Sequence, residues 1–202
     1  MTNFSRSNVA VLVPQVISVV FHPLIIAPLT FGIIFFSNLY KTSKMWEYFI
    51  ISIAATLLAP IIHVSLMKKQ GKTSGLDVPE REMRKSPFIT GIISYLIALF
   101  IFCMLKAPKP ALVLMWAYAF NTTVATLITH YWKISIHGMT MGGPTAALGY
   151  ALSSNFYLLL LALPLIVYSR VSLKAHTPMQ VIAGFALGFI LTISHFKILM
   201  PL

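Results

Sequence analysis

The stretch ISIHGMTMGGPTAALGYALSSNFYLLLLALPLIVYS, residues 134–169, runs for 36 residues without a formal charge between Lys133 and Arg170. As one helix it would extend about 54 Å, far beyond the roughly 30 Å of a bilayer core, so it has to turn back on itself. Ser153-Ser154-Asn155 is the natural turn, because short polar side chains compete with helix for backbone partners; Gly142-Gly143-Pro144 is a second weak point. A hairpin breaking at 153–155 leaves two helices of about 15 residues, short enough to imply tilting or local thinning of the bilayer. It also returns Arg170 and His176 to the face that carries Ser135 and His137.

Outward from this stretch the pattern repeats. Uncharged runs cover 7–40, 48–67, 86–105, 110–132 and 175–196, each reaching the roughly 20 residues a helix needs to cross a membrane. The chain is 58% hydrophobic and 9% charged over 202 residues, more apolar surface than a soluble domain of this length can hide. Inside lipid every backbone amide needs a partner within the protein, which leaves helices or a closed barrel. The runs are continuous and do not alternate, so the expected fold is all-α: a polytopic integral-membrane bundle of six to seven helical segments, one domain over 1–202. Segment 7–40 is too long for a secretory leader and shows no convincing cleavage site, so it reads as a retained span kinked by Pro14, Pro23 and Pro28.

The lone Cys103 excludes an intramolecular disulfide. The net charge of +11 sits in short loops between spans, which points to the lipid bilayer, anionic headgroups and phosphate as partners, and away from nucleic acid. By hairpin parity the loops 68–87, 131–137 and 169–180 share one face. Ten cations on that face against five opposite favour a cytoplasmic site. Setting aside at least four that suit phosphate brings the sides near parity, so orientation stays open.

Phosphate ester hydrolysis needs cations around the equatorial oxygens, an in-line nucleophile and an acid for the leaving oxygen. Arg170 suits a bidentate grip on phosphate. His176 precedes Thr177-Pro178, an N-cap and a proline at the first helical position, where helix amides attract an anion. These features make His176 the candidate nucleophile, forming a phosphohistidine, and His137 the candidate general acid. Ser135, Lys133 and Ser169 are candidate phosphate contacts.

Ser169-Arg170, five residues, then His176, preceded by Lys133-x-Ser135-x-His137, resembles the type 2 phosphatidic acid phosphatase superfamily, which includes lipid phosphatases, polyprenyl diphosphate phosphatases and vanadium haloperoxidases. The resemblance covers residues 68–190. It implies that His176 is the nucleophile, that His137 is the leaving-group acid, and that no metal or other cofactor is required. The chain departs from the family in three places. Gln180 stands where an aspartate usually orients the nucleophilic histidine; at i+4 its amide oxygen can still accept the ring proton but supplies no charge. The upstream motif, normally a lysine, six residues, then Arg-Pro, has Arg84 with Pro87 as its nearest match and Asp77 at the lysine position, so Arg81, Arg84 and Lys85 compete for the missing cation. Ile134 and Ile136 flank Ser135 where proline and glycine are common.

The leading expectation is a metal-independent phosphatase of the cell membrane, acting on a membrane lipid phosphate or isoprenoid (di)phosphate and slowed by Gln180. The alternative is a lipid-phosphate binder that keeps the pocket without the chemistry. A metal-dependent transferase is disfavoured because only four acidic residues are present, three of them in one loop. His22, His63 and Asn121 lie within or near the ends of spans and read first as interhelical hydrogen-bonding groups. Gly184 and Gly188 form a small-xxx-small pair read as helix packing, with a homodimer as the weaker option.

Overall fold

The computed structural model describes residues 6–75, 78 and 80–201, with side chains from residue 11 onward. Asp77, used above, and the side chain of Arg6, one of the ten cations counted on the site face, lie outside the described residues. Nine α-helices form the described fold: α1 Arg6–Val20, α2 Pro23–Phe35, α3 Met45–Ile53, α4 Ala59–Lys69, α5 Lys85–Leu105, α6 Lys109–Tyr131, α7 Ile136–Ala151, α8 Leu163–Ser172 and α9 Pro178–Leu199. They group into seven segments, since α1 and α2 follow one another, α3 runs into α4 through a π turn at Ala54–Leu58, and a 3-10 stretch at Ser154–Ala162 leads into α8. Six of the seven are long and apolar enough to cross a membrane, and exposed side chains such as Phe100, Leu127, Leu161 and Ile198 give the bundle an apolar outer surface. The protein is an integral-membrane helical bundle.

The long N-terminal segment breaks once. His22 is extended, with φ −70° and ψ 137°, because the ring of Pro23 disfavours helix at the preceding residue. Pro14 and Pro28 stay inside α1 and α2. The π turn has a similar origin: Pro60 opens α4, lacks the amide that would close the preceding turn, and lets the helix widen ahead of it.

The decisive hairpin turns where expected, with α7 ending at Ala151 and Ser153 capping the 3-10 stretch by accepting from the Asn155 amide. Gly142-Gly143-Pro144 does not break; α7 continues through it. Neither tilting nor a thinned bilayer is needed to explain the 16 residues of α7, because almost every one of them is buried and protein, not lipid, surrounds it. Its closest partner is α9. A Cβ at Gly138 would strike the Val181 carbonyl, one at Gly142 the Phe185 carbonyl, one at Gly184 the Ser135 carbonyl and one at Gly188 the Met139 carbonyl. The two Gly-xxx-Gly pairs thus face each other and let the backbones approach directly, so Gly184 and Gly188 are occupied within the chain.

Candidate active site

At the end of the bundle where α4, α6 and α8 finish and α5, α7 and α9 begin, a cavity of about 160 Å³ runs inward. Its mouth carries His22, Arg84, His137, Arg170 and His176, and its inner part reaches Tyr118, Asn121 and Thr192. Histidine and arginine from five different stretches of chain meet there, and local structure explains how each arrives.

The last turn of α8 closes with the amide of Ala175 donating to the Arg170 carbonyl and that of Lys174 to the Val171 carbonyl, at 3.0 and 2.9 Å. Lys174 takes the left-handed conformation, φ 51°, that this helix ending requires and that glycine usually supplies. The reversal lets the His176 amide donate to the same Arg170 carbonyl at 3.2 Å, so the arginine and the histidine are joined through backbone. Thr177 then caps α9, and Gln180 answers with its side chain in a reciprocal capping box.

Gln180 Oε1 accepts from the Thr177 amide at 3.1 Å and lies 3.1 Å from His176 Nδ1. The backbone amide can only donate, so the atom facing it is the oxygen of Gln180. His176 Nδ1 therefore carries the ring proton, and Nε2 keeps its lone pair. Burial, and after it the Arg84 guanidinium, holds the His176 imidazole down at about 4, with Arg170 and Lys133 adding to the effect against the Gln180 hydrogen bond. The ring is neutral at physiological pH.

His137 sits in the first turn of α7, which is capped by Ser135: the Ser135 Oγ accepts from the Gly138 amide at 3.3 Å. The Ser135 amide donates to the Gln180 carbonyl at 3.2 Å, tying the loop before α7 directly to the first turn of α9. Arg84 is buried; its Nε donates to the Val78 carbonyl at 2.8 Å and a terminal nitrogen to the Ile134 carbonyl at 3.4 Å. It braces two loops while lining the cavity. Lys133 lies close enough to Arg84 and Arg170 that they add to burial in holding its ammonium below the usual lysine range.

Three candidates are placed differently. Arg81 is half-exposed, pairs with Glu82 at 3.3 Å and donates to the Tyr131 carbonyl at 3.2 Å, outside the cavity. Lys85 lines a separate outer groove with His63 and Lys72. Ser169 is fully buried and its Oγ donates to the Pro14 carbonyl at 2.6 Å. One residue along an α-helix turns the side chain about 100°, so Ser169 is engaged with the Pro14 carbonyl of α1 while Arg170, which also reaches Ser18 of α1, lines the cavity.

Two residues at the site were not among the sequence candidates. Ser18 of α1 accepts from Arg170 at 2.6 Å and lies 3.4 Å from His137 Nε2. His22 accepts from the Leu24 amide at 3.2 Å as the cap of α2 and meets His137 edge to face, ring centres 5.1 Å apart. The sign of His22 was its ionisable ring inside a span; Ser18 carried no sign. His63 does bond between helices, to Ser86 at 2.8 Å and Thr90 at 3.2 Å, as does Asn121 to Thr192 at 2.9 Å. Among the described residues, no three His, Cys, Asp or Glu side chains are grouped as a metal ion would need.

Comparison with the curated proteins and with the solved structures gives no match. Residues 116–200, which hold His137, Arg170, His176 and Gln180, match the family model of the PAP2 superfamily.

Proposed function

We propose that the protein hydrolyses a lipid phosphate or an isoprenoid (di)phosphate at the surface of the cell membrane, without a metal or other cofactor, through a phosphohistidine at His176. The observation that carries this reading is the hold of Gln180 on His176 Nδ1, which leaves Nε2 as a neutral, unprotonated nucleophile among cations that attract phosphate. Nε2 attacks phosphorus, the bond to the lipid oxygen breaks, and His137 gives that oxygen a proton. Water, deprotonated by the now neutral His137, then displaces His176 and releases inorganic phosphate. Arg84, Arg170 and Lys133 offset the charge on the equatorial oxygens, with the Gly138 amide and the Ser135 hydroxyl nearby at the start of α7.

The test is phosphate release in detergent from a panel of phosphatidate, phosphatidylglycerophosphate and prenyl mono- and diphosphates, with His176→Ala as control. Turnover lost in the variant supports the assignment; equal turnover in both proteins overturns it. The substitution of a charged orienting group by Gln180 favours a second reading, a lipid-phosphate binder with little or no chemistry. Tight orthovanadate binding with no phosphate release from any member of the panel would select it.

A further inference from the structure

The family match begins at residue 116, yet α1 reaches the site from the far end of the chain. Ser169 and Arg170, neighbours on α8, grip one turn of α1 between them. The Ser169 hydroxyl donates to the Pro14 carbonyl at 2.6 Å, the carbonyl that the helix also offers to the Ser18 amide. That bond fixes the height and rotation of the turn on which Ser18 stands. Arg170 donates to Ser18 Oγ at 2.6 Å, and the guanidinium has only donors, so the hydroxyl accepts there. The hydroxyl oxygen keeps a second lone pair, and His137 Nε2, which carries a proton when the ring acts as the acid, lies 3.4 Å from it. Ser18 is about nine-tenths buried, so bulk water does not compete for these contacts.

One oxygen thus sits between the arginine and the histidine that the proposed reaction needs on one phosphate. We infer that Ser18 is a positioning residue of the phosphate site: it holds the Arg170 guanidinium and the His137 imidazole on a common point and yields that point to a phosphate oxygen when substrate enters. This rests on the phosphatase reading. Without the hydroxyl, Arg170 loses a hydrogen bond to α1 and His137 loses one of the groups, with His22, that set its approach to the leaving oxygen. Ser18 makes no bond to the reacting atoms, so its effect is felt in the transition state more than in substrate capture.

The test compares the full chain with Ser18→Ala, Ser18→Thr and Ser18→Val in detergent, reading kcat, KM and orthovanadate affinity on a short-chain lipid phosphate. Threonine and valine have the same shape and differ in the hydroxyl alone, so a packing role treats them alike. The expected result is a fall in kcat of about tenfold or more for alanine and valine, as for loss of a hydrogen bond to a charged group, with KM little changed, vanadate bound more weakly, and threonine restoring both. If the parent hydrolyses the substrate and valine matches threonine, the Ser18 assignment is overturned and the phosphatase reading stands. If the parent neither hydrolyses substrate nor binds vanadate, the phosphatase reading itself is overturned and this inference goes with it.

Discussion

Gln180 gives the sharpest lever on the chemistry. Replacing it by glutamate keeps the length of the side chain, so the contacts with the Thr177 amide and with His176 Nδ1, each 3.1 Å, survive, and a formal charge takes the place of an amide dipole. A carboxylate about 4 Å from the ring charge, at an effective dielectric constant of about 20, favours an imidazolium by about 4 kcal/mol. Gln180 is half-buried at a helix start, so solvent screens part of this, and about 2 kcal/mol is a working figure. The ring gains positive charge as Nε2 bonds to phosphorus, so that energy lowers the barrier and predicts a rise in kcat of roughly 30-fold for Gln180→Glu. The same energy of about 2 kcal/mol lifts the His176 imidazole from about 4 by about 1.5 units, leaving most of it neutral at pH 7. Aspartate is one methylene shorter and must draw the first turn of α9 inward to reach, so Gln180→Asp gives a smaller rise. The assay is the pH profile of phosphate release under single-turnover conditions. An unchanged or lowered rate in Gln180→Glu, with no movement of the acid limb, would refute both the contact and the role given to His176.

Three further outcomes test the packing and the electrostatics. Gly142→Ala forces the Phe185 carbonyl aside and is expected to cost about 1–3 kcal/mol by overpacking, against a gain of about 1 kcal/mol in helix propensity; separating α7 from α9 also moves His137 relative to His176, cutting activity by as much as about 100-fold. Gly91→Ala, where the new methyl meets only the Tyr95 ring at 3.5 Å, leaves the melting temperature unchanged or higher, and equal behaviour of the two variants would show that α7 and α9 are not in backbone contact. The third concerns pH. His176 holds its pKa near 4 in the folded protein, below the roughly 6.5 of an unfolded histidine, so between these values the unfolded chain binds more protons. Its contribution to stability is complete above about pH 6.5 and is lost as pH falls through about 4. In thermal melts over that window the parent should lose stability relative to His176→Gln as the pH drops; parallel curves would mean that the ring titrates normally.

Much of the site was legible because its motifs are local. The turn at 153–155, the cap at Thr177 and the i to i+4 relation of His176 and Gln180 depend on a few adjacent residues, and the structure reproduces each. What was not legible depends on rotation and distance. Ser169 and Arg170 are neighbours in sequence but point to different surfaces of α8. Arg81 and Arg84 differ by one 3-10 turn, and it is the packing of loop 68–87 on loop 131–137 that buries one and exposes the other.

By itself the amino-acid order determined that the chain is a helical membrane bundle, because continuous uncharged runs have no other way to satisfy their amides in lipid. It also placed the cationic, histidine-bearing loops at one end of the bundle, through hairpin parity. Only the tertiary structure decided that α7 is an interior helix, since its glycines gain meaning from the carbonyls of α9 that meet them. Only it brought Ser18 and His22 to Arg170 and His137, more than 100 residues away in the chain, because a hydroxyl on a lipid-exposed helix carries no pattern until the helix packed against it supplies the partner.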